Sequence, residues 1–228
     1  MPSSNALSLS LSRRKLLLTL WLIVGVLVGI HVLLTVIHYR FTELPWLFRQ
    51  IFDVDEEDSF PTWYSAMALL FTALTLAAHA WGQTDQAQNQ GLIAWRVLAA
   101  GFLFLSIDEI AGMHETLNSV TEMSWAIPGG IVALGVGVFY LRFLRRLPLG
   151  VAVGFCIGGA IYVGGAVGIE LLTEPFLEND ALDTLPYNIW TAVEESMEMG
   201  GVLVFLGVLI KHMTAGADQL VVKVAVRR

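Results

Sequence analysis

Carboxylate and imidazole side chains interrupt several long apolar runs of this sequence. These two side-chain types are common protein ligands of Mn, Fe and Zn, and paired carboxylates can also transfer protons. We therefore predict a site for a divalent transition metal (Fe, Mn or Zn), built by side chains from different segments of the chain. Its predicted ligands lie in four apolar runs: His31, Asp108, His114, Glu115, Glu170, Glu194 and Glu198.

The spacing of these residues groups them on helix faces. Asp108 and Glu115 are seven residues apart, so they differ by about 20° around one continuous helix. Glu194 and Glu198, four apart, differ by about 40°, whereas His114 falls about 100° from the stripe of Asp108. An ionised carboxylate near the middle of a bilayer costs roughly 3 kcal/mol or more, so we expect these stripes to face each other and not lipid.

The runs that carry these residues are long enough to cross a membrane. The chain has 228 residues, of which 56% are hydrophobic and 14% charged, and its mean hydropathy is +0.68. We predict an all-α, polytopic transmembrane bundle, because about 20 apolar residues in a helix cross the hydrocarbon layer. Six spans are expected, at residues 16–39, 60–81, 92–115, 126–143, 149–172 and 189–211.

One helical domain accounts for nearly the whole chain. Residues 16–213 are assigned to the transmembrane bundle, residues 1–15 to a cytoplasmic N-terminal segment and residues 214–228 to a cytoplasmic tail. The tail carries no motif and is expected to be flexible. Five glycines of the fifth span are expected to form a smooth side for close helix packing: Gly150, Gly154, Gly158, Gly164 and Gly168.

The basic residues predict the orientation of the bundle. They precede the first span and follow the fourth and sixth spans, as is typical of cytoplasmic segments. The opposite side collects acidic residues, within a formal net charge of -7. Both termini are therefore expected in the cytoplasm. Membrane lipid is a predicted partner and nucleic acid is not.

In this orientation the titratable residues lie at a similar depth. Asp108 lies about 10 Å below the outer surface, and Glu194 and Glu198 lie roughly 8 to 14 Å below it. His31 lies about 12 Å before the outer end of the first span. No Lys or Arg occurs in the outer half of any span, so simple ion pairing cannot neutralise these carboxylates. The site is therefore predicted in the outer half of the bundle.

Some residues near this site have two interpretations. Glu115 lies at a helix end, where an interfacial role is as expected as a role in the site. Glu195 lies about 100° from Glu194 around the helix, so the spacing leaves its direction open. The segment ELPWLFRQIFDVDEEDSFPTWY is typical of a short amphipathic element that could cover the polar side chains. Its acidic run, residues 55–58, is either a solvated loop, which we favour, or a cation-binding one.

Three segments carry a family resemblance. FDVDEEDSFPTW, FLSIDEIAGMHE and VEESMEMGG, in that order, resemble signature segments of a family of uncharacterised bacterial membrane proteins of similar length. The last two contain the patterns Asp-Glu-x4-His-Glu and Glu-Glu-x2-Glu. The resemblance covers most of the chain and implies a six-helix, multi-pass protein of the bacterial inner (plasma) membrane. That family has no settled activity, so none is implied.

The function favoured by these residues is that of a divalent-metal-dependent enzyme. Its substrate would be a lipid-soluble small molecule that enters from the outer leaflet, and Asp108, Glu194 and Glu198 would be its catalytic residues. Three alternatives stay open: a small proton- or cation-coupled transporter, a metal-free acid catalyst, and a structural or accessory membrane subunit.

Overall fold

The fold is an all-α bundle with one small sheet, as a computed structural model shows. It describes residues 6–82, 91–121 and 124–225, without the side chains of residues 6–9, 115, 119–121 and 222–225. The predicted all-α class is therefore confirmed. The elements are β1 (Ala6–Ser12), α1 (Arg13–Arg40), α2 (Trp46–Gln50), α3 (Phe60–Gly82), α4 (Leu92–Ala111), α5 (Met113–Thr121), α6 (Ala126–Leu144), α7 (Leu149–Val163), a π-helical turn (Gly164–Ile169), α8 (Glu170–Glu178), α9 (Leu185–Met213) and β2 (Gln219–Ala225).

The two terminal segments pair with each other. β1 and β2 form an antiparallel two-stranded sheet in which Ser12 lies opposite Gln219. The Ser12 hydroxyl donates to Asp218 Oδ2 at 2.9 Å and also accepts from the Lys15 N–H, which caps α1. The expectation of a flexible tail was wrong for residues 219–225, because their backbone groups are paired in a ladder. We call this end of the bundle the sheet end and the opposite end, where α1 ends and α9 begins, the loop end.

Helix α9 is the central element of the described bundle. It contacts α1, α3, α7 and the π-helical turn. In its half towards the sheet end it buries an almost continuous apolar stretch that includes Leu203, Leu206 and Leu209. One apolar cluster joins this stretch to α1 and α3, and a second joins it to α4, α6 and α7 around Trp95 and Phe155. The core of the molecule therefore lies in the sheet half.

Close packing of α7 on α9 depends on glycines of both helices. An added Cβ at Gly158 would lie 2.9 Å from the Gly201 carbonyl oxygen, and one at Gly154 would lie 2.5 Å from a Val208 methyl. The predicted smooth side is confirmed at these two positions. Gly150 has no atom within 4 Å of such a Cβ, so the packed surface does not extend to the start of α7.

Several helices have the length and composition of membrane spans. Within the described residues, four stretches are long and apolar enough to cross a membrane: α1, α3, α6 and the continuous helical run Leu149–Glu178. Large apolar side chains on their outer faces are exposed, for example Leu22, Leu33 and Ile131. Such exposed faces suit contact with lipid.

Two helices differ from the predicted spans in a way that matters for the site. The third span was expected to run unbroken to residue 115, but α4 ends at Ala111. Gly112 follows in the left-handed conformation, with φ of 53°, and its N–H donates to the Asp108 carbonyl. The fifth span opens into the π-helical turn and then continues to Glu178. Both departures occur at glycines, where the backbone is least restricted.

Candidate functional site

Acidic side chains from four parts of the chain meet in the loop half of the bundle. Helix α4, the helix after the π-helical turn, helix α9 and the loop before α3 all contribute, and electrostatic interactions link their carboxylates. We call this group the acidic cluster; it contains eight carboxylates and one imidazole. Its members are Asp55, Glu57, Asp108, Glu109, His114, Glu170, Glu194, Glu195 and Glu198.

The turn at Gly112 places the imidazole of the cluster. Because the chain changes direction there, α5 brings His114 back towards the end of α4, and its Nδ1 lies 3.0 Å from Asp108 Oδ2. His114 also interacts electrostatically with Glu109 and Glu170. The spacing argument that put His114 off the Asp108 stripe was wrong, because it assumed one continuous helix. The side chain of Glu115 lies outside the described part of the structure.

Helix α9 contributes three carboxylates to the cluster. Glu194, Glu195 and Glu198 interact electrostatically with one another, and Glu195 also interacts with Asp55 of the loop before α3. The Tyr162 hydroxyl of α7 donates to the Glu198 carboxylate. Glu109, on α4, interacts with Glu195 and Glu198 from the other side of the cluster. Carboxylates spread over about 100° of α9 therefore share one site.

The π-helical turn sets the approach of the fifth span to α9. A Cβ added at Gly165 would lie 2.8 Å from the Glu194 carbonyl oxygen and 3.1 Å from Glu198 Cγ, so the backbone of the turn lies directly against the acidic part of α9. Glu170 begins the helix after the turn, and the Asn118 amide of α5 donates to its carboxylate. π-Helical turns are rare and occur often at functional sites.

The loop between α2 and α3 contributes two carboxylates to the cluster, Asp55 and Glu57. Asp55 interacts electrostatically with Glu194 and Glu195, and the Tyr187 hydroxyl donates to its Oδ2 at 3.3 Å. Glu57 interacts with Glu109. Our preference for a solvated acidic run agrees with Asp55, which is exposed, but not with Glu57, whose Oε1 atom is buried. It holds for Glu56 and Asp58, which are exposed and accept hydrogen bonds from Gln50.

The structure places His31, one of the predicted ligands, against the backbone of α9 and of the loop before α3. Its side chain is only 2% exposed. Nδ1 accepts from the Val54 N–H at 3.3 Å, and Nε2 lies 3.3 Å from the Asn188 carbonyl oxygen, to which it donates in the matching tautomer. Nδ1 also lies 3.3 Å from Asp53 Oδ1, so two backbone groups and one carboxylate surround the ring. His31 joins α1 to α9 and to the loop that carries Asp55 and Glu57.

The chemistry of the cluster suits a cation. Carboxylates with an imidazole fit a hard or borderline divalent metal, and eight carboxylates around one imidazole leave a large excess of negative charge. Among the described residues, no three His, Cys, Asp or Glu side chains are grouped as ligands of a single ion. The Oε1 atom of Glu57 is fully buried and has no hydrogen-bond partner in the described part of the chain. A carboxylate oxygen in this position is one that a cation would satisfy.

Comparison with known proteins places the chain in a family. A family model described as a domain of unknown function (DUF8692) matches residues 11–212. The chain belongs to this family. No curated protein and no solved structure matches it. The matched residues of the DUF8692 domain include the whole acidic cluster and all the helices that form it.

Sequence reasoning did not name Glu109 or Tyr162 as contributors to the site in this DUF8692 domain, and it left Asp55, Glu57 and Glu195 open. Glu109 and Glu195 each stand next to a predicted site residue, so the adjacent acidic pairs were a signal, and helix phase left the direction of Glu195 open. Tyr162 had no signal, because a tyrosine in an apolar helix is most often a packing residue.

Proposed function

We propose that this protein is a divalent-metal-dependent membrane enzyme that acts on a lipid-soluble substrate. The observation that carries the proposal is the convergence of carboxylates from α4, α8 and α9 with the imidazole of His114 inside an apolar bundle. Placing so many acidic groups together away from bulk water is unfavourable unless they bind protons or cations. A bound metal ion would compensate the charge of these carboxylates and give them a catalytic role.

The proposed orientation is a six-span bundle with both termini in the cytoplasm of a bacterial inner membrane. The pairing of β1 with β2 supports it, since termini that meet at one end of a bundle require an even number of crossings. Arg13, Arg14 and Lys15 stand at this end, where the positive-inside rule predicts the cytoplasm. The acidic cluster would then open towards the outer leaflet.

Each residue of the cluster has a proposed role. His114, Glu170, Glu194 and Glu198 would hold the metal, which when bound would act as a Lewis acid or activate a water molecule. Asp108 contacts His114 Nδ1 and so would fix the orientation of the imidazole, the usual partnership of a metal-bound histidine.

The neighbours of these ligands would control protons at the site. The Tyr162 hydroxyl donates to Glu198 and would hold its carboxylate in one orientation. Ser65 donates to Glu109, which would in the same way be positioned beside the ligands. Asp108, Glu194 and Glu198 remain our proposed catalytic residues, because each carboxylate can accept a proton in the interior of the bundle.

The apolar packing of the bundle half next to the sheet end favours an enzyme over a proton or cation relay. A relay needs polar groups along a path to the other face of the membrane. Below the cluster, α9 instead buries Val202, Leu203, Phe205 and Leu206 against its neighbours. Flux driven by a pH gradient in proteoliposomes would reverse this preference.

Elemental analysis of the purified full-length chain tests the proposal. After growth with Mn, Fe and Zn, the wild type should contain close to one transition-metal ion per chain, whereas Glu194→Gln and Asp108→Asn should lose at least nine-tenths of it, because they remove a ligand charge and the partner of His114. Glu178→Gln, at the exposed end of α8, is the matched control and should keep the metal. A wild type that stays metal-free under these conditions would refute the proposal.

A further inference from the structure

Helix α2 exposes its apolar side chains and turns its polar ones towards the bundle. We infer that α2 is a membrane-interface element, whose apolar side chains insert into the leaflet at the loop end, at the boundary between headgroups and acyl chains. The loop of residues 51–59, which follows α2, is then held at the lipid surface. This inference rests on the proposed membrane-embedded bundle and does not depend on a bound metal.

The strongest observation is the exposure of large apolar side chains in and just before α2. Trp46, Leu47 and Phe48, the first three residues of the helix, are 71%, 58% and 57% exposed. Phe41, which directly follows α1, is 79% exposed. Surface apolar side chains of a water-facing loop are normally scattered singly, whereas a group of them marks contact with a membrane or a partner. The residues of α2 therefore require an apolar neighbour.

The polar residues at the end of α2 face the bundle. Arg49 and Gln50 are half-buried. Arg49 Nη1 lies 3.0 Å from His38 Nε2, and Arg49 Nη2 lies 3.7 Å from Asp183 Oδ1. Gln50 Nε2 donates to Glu56 Oε2 at 2.9 Å. Helix α2 is thus attached to the bundle through polar contacts while its apolar side chains stay outside, which is the reverse of the usual arrangement in water.

The position of α2 favours lipid as the occupant of its apolar surface. The Phe60 N–H donates to the Ile51 carbonyl oxygen at 3.0 Å, so the chain after α2 returns directly to the start of α3. Phe60 and Trp63, in the first turn of α3, are 55% and 62% exposed, and Leu33 on α1 is 59% exposed. Helix α2 therefore adjoins the exposed apolar faces of two candidate membrane spans. Tryptophan is enriched where spans leave the hydrocarbon layer, as at these positions.

Lipid contact at α2 also affects the acidic cluster, because the loop of residues 51–59 carries two of its carboxylates. The Val54 N–H donates to His31 of α1 at 3.3 Å, and the Thr62 hydroxyl of α3 donates to the Glu56 carbonyl oxygen at 2.8 Å. The loop is thus fixed between two spans and begins where the interfacial helix ends. This arrangement places one side of the cluster next to the leaflet from which the proposed lipid-soluble substrate arrives.

Fluorescence quenching in phosphatidylcholine vesicles tests this role. Cys156 is the only cysteine, so Cys156→Ala provides a full-length background in which Leu47→Cys, Leu33→Cys or Glu178→Cys carries a single dye. Iodide in the buffer reports contact with water. Phosphatidylcholine with a nitroxide at the headgroup end or at the far end of its acyl chain reports contact with lipid and its depth.

The expected pattern differs among the three labelled positions. The dye at Leu47→Cys should be quenched at least about twofold more by the headgroup-end nitroxide than by the chain-end one, because interfacial helices lie about 5–10 Å deep. Leu33 lies about 12 Å along α1 from Phe41, so its dye should show the reverse order. Glu178 is exposed at the end of α8, and its dye should respond to iodide only.

The outcomes separate this inference from the membrane bundle on which it rests. If the dye at Leu47→Cys responds only to iodide while the dye at Leu33→Cys responds to the lipids, the bundle stands and α2 lies in water, which refutes the inference. If the Leu47→Cys dye responds to neither quencher, a protein surface such as a second copy covers α2, and the inference is also refuted. If the Leu33→Cys dye does not respond to the lipids either, the membrane-embedded bundle fails and this inference fails with it. Phe48→Cys, a second exposed position of α2, should repeat the pattern of Leu47→Cys and guards against one variant that does not fold.

Discussion

The two halves of α9 have different surroundings. Towards the loop end it carries Glu194, Glu195 and Glu198 against other acidic groups, whereas towards the sheet end it buries Leu206 and Leu209. The first arrangement is electrostatically unfavourable without a bound cation or protons, and the second is ordinary close packing. The difference indicates that the sheet half supplies the stability that the loop half requires for a functional site.

Aromatic packing adds to the contrast. In the sheet half, the rings of Phe155 and Phe205 stack with centroids 4.2 Å apart, and Trp95 packs edge-on against His79 at 4.6 Å. The Tyr140 hydroxyl donates to the Ala94 carbonyl oxygen at 2.9 Å, which joins α6 to α4. These contacts fix the helices at the sheet end, so the carboxylates at the other end are held at one place by a rigid frame.

The largest effect is expected from a pair of substitutions in α9. Leu206 is 0% exposed, so Leu206→Ala should lower the free energy of unfolding by about 2 to 5 kcal/mol through a cavity in the core. Glu195→Gln should leave that free energy unchanged or raise it by about 1 kcal/mol in the metal-free protein, because it removes one of several mutually repelling charges.

Thermal or denaturant unfolding in a fixed detergent measures both variants. The proposed difference between the two halves of α9 would be refuted if Glu195→Gln destabilised the metal-free protein as much as Leu206→Ala does. The carboxylates would then be part of the stable core.

A smaller loss of stability is expected from a substitution where α7 crosses α9. A Cβ at Gly201 would lie 2.6 Å from the Tyr162 backbone nitrogen and 2.7 Å from the Gly158 carbonyl oxygen, and neither can move freely. Gly201→Ala should therefore cost about 1 to 3 kcal/mol. This cost is offset by up to about 1 kcal/mol from the better helix propensity of alanine.

The control lies two turns further along the same helix. A Cβ at Gly207 would meet the two Leu17 methyls at 3.4 and 3.7 Å, which is ordinary contact, so Gly207→Ala should be neutral or stabilising. Equal melting temperatures for the two alanine variants would show that the close α7–α9 contact does not hold the bundle together.

The smallest effect is expected at the terminal sheet, which lies outside both halves of the bundle. The Ser12 hydroxyl and the Arg14 N–H donate to Asp218, and they hold the pKa of this exposed carboxyl below its usual value. The stabilisation is present above the pKa of the unfolded chain and is lost as the pH falls through the lowered pKa. The protection factors of the amides of residues 219–221, which correct the exchange rates for the intrinsic effect of pH, should therefore fall in acid for the wild type.

Asp218→Asn provides the comparison for this prediction. Its protection factors in β2 should already be slightly lower at neutral pH and should depend less on pH than those of the wild type. Identical pH profiles for the two proteins would show that Asp218 does not stabilise the strand pairing.

Much of the fold could be predicted because it depends on local pattern. The second span, expected at 60–81, is α3 (Phe60–Gly82), and the fourth, expected at 126–143, is α6 (Ala126–Leu144). Apolar length determines such helices. The pairing of β1 with β2 could not be predicted in the same way, because it joins residues more than 200 positions apart and both strands are short.

The candidate site was predictable in its residue types but not in its geometry. Asp108, Glu170 and Glu198 were identified because ionisable groups are costly in apolar helices. The contacts of His31 were not predictable, because depth alone does not show that the Asn188 carbonyl oxygen, the Val54 N–H and the Asp53 carboxylate surround its ring. Glu195 was left open because helix phase does not show how many neighbours surround a helix.

By itself, the sequence determined the apolar helices, the depth at which acidic residues occur along them and the side of the chain on which basic residues collect, because these depend on composition and spacing within one segment. Only the tertiary structure decided which of those residues meet. The left-handed turn at Gly112 returns His114 to Asp108, the loop between α2 and α3 carries Glu57 to the same turn, and the terminal strands close the other end. These contacts depend on backbone direction and on the packing of distant segments, which no local pattern specifies.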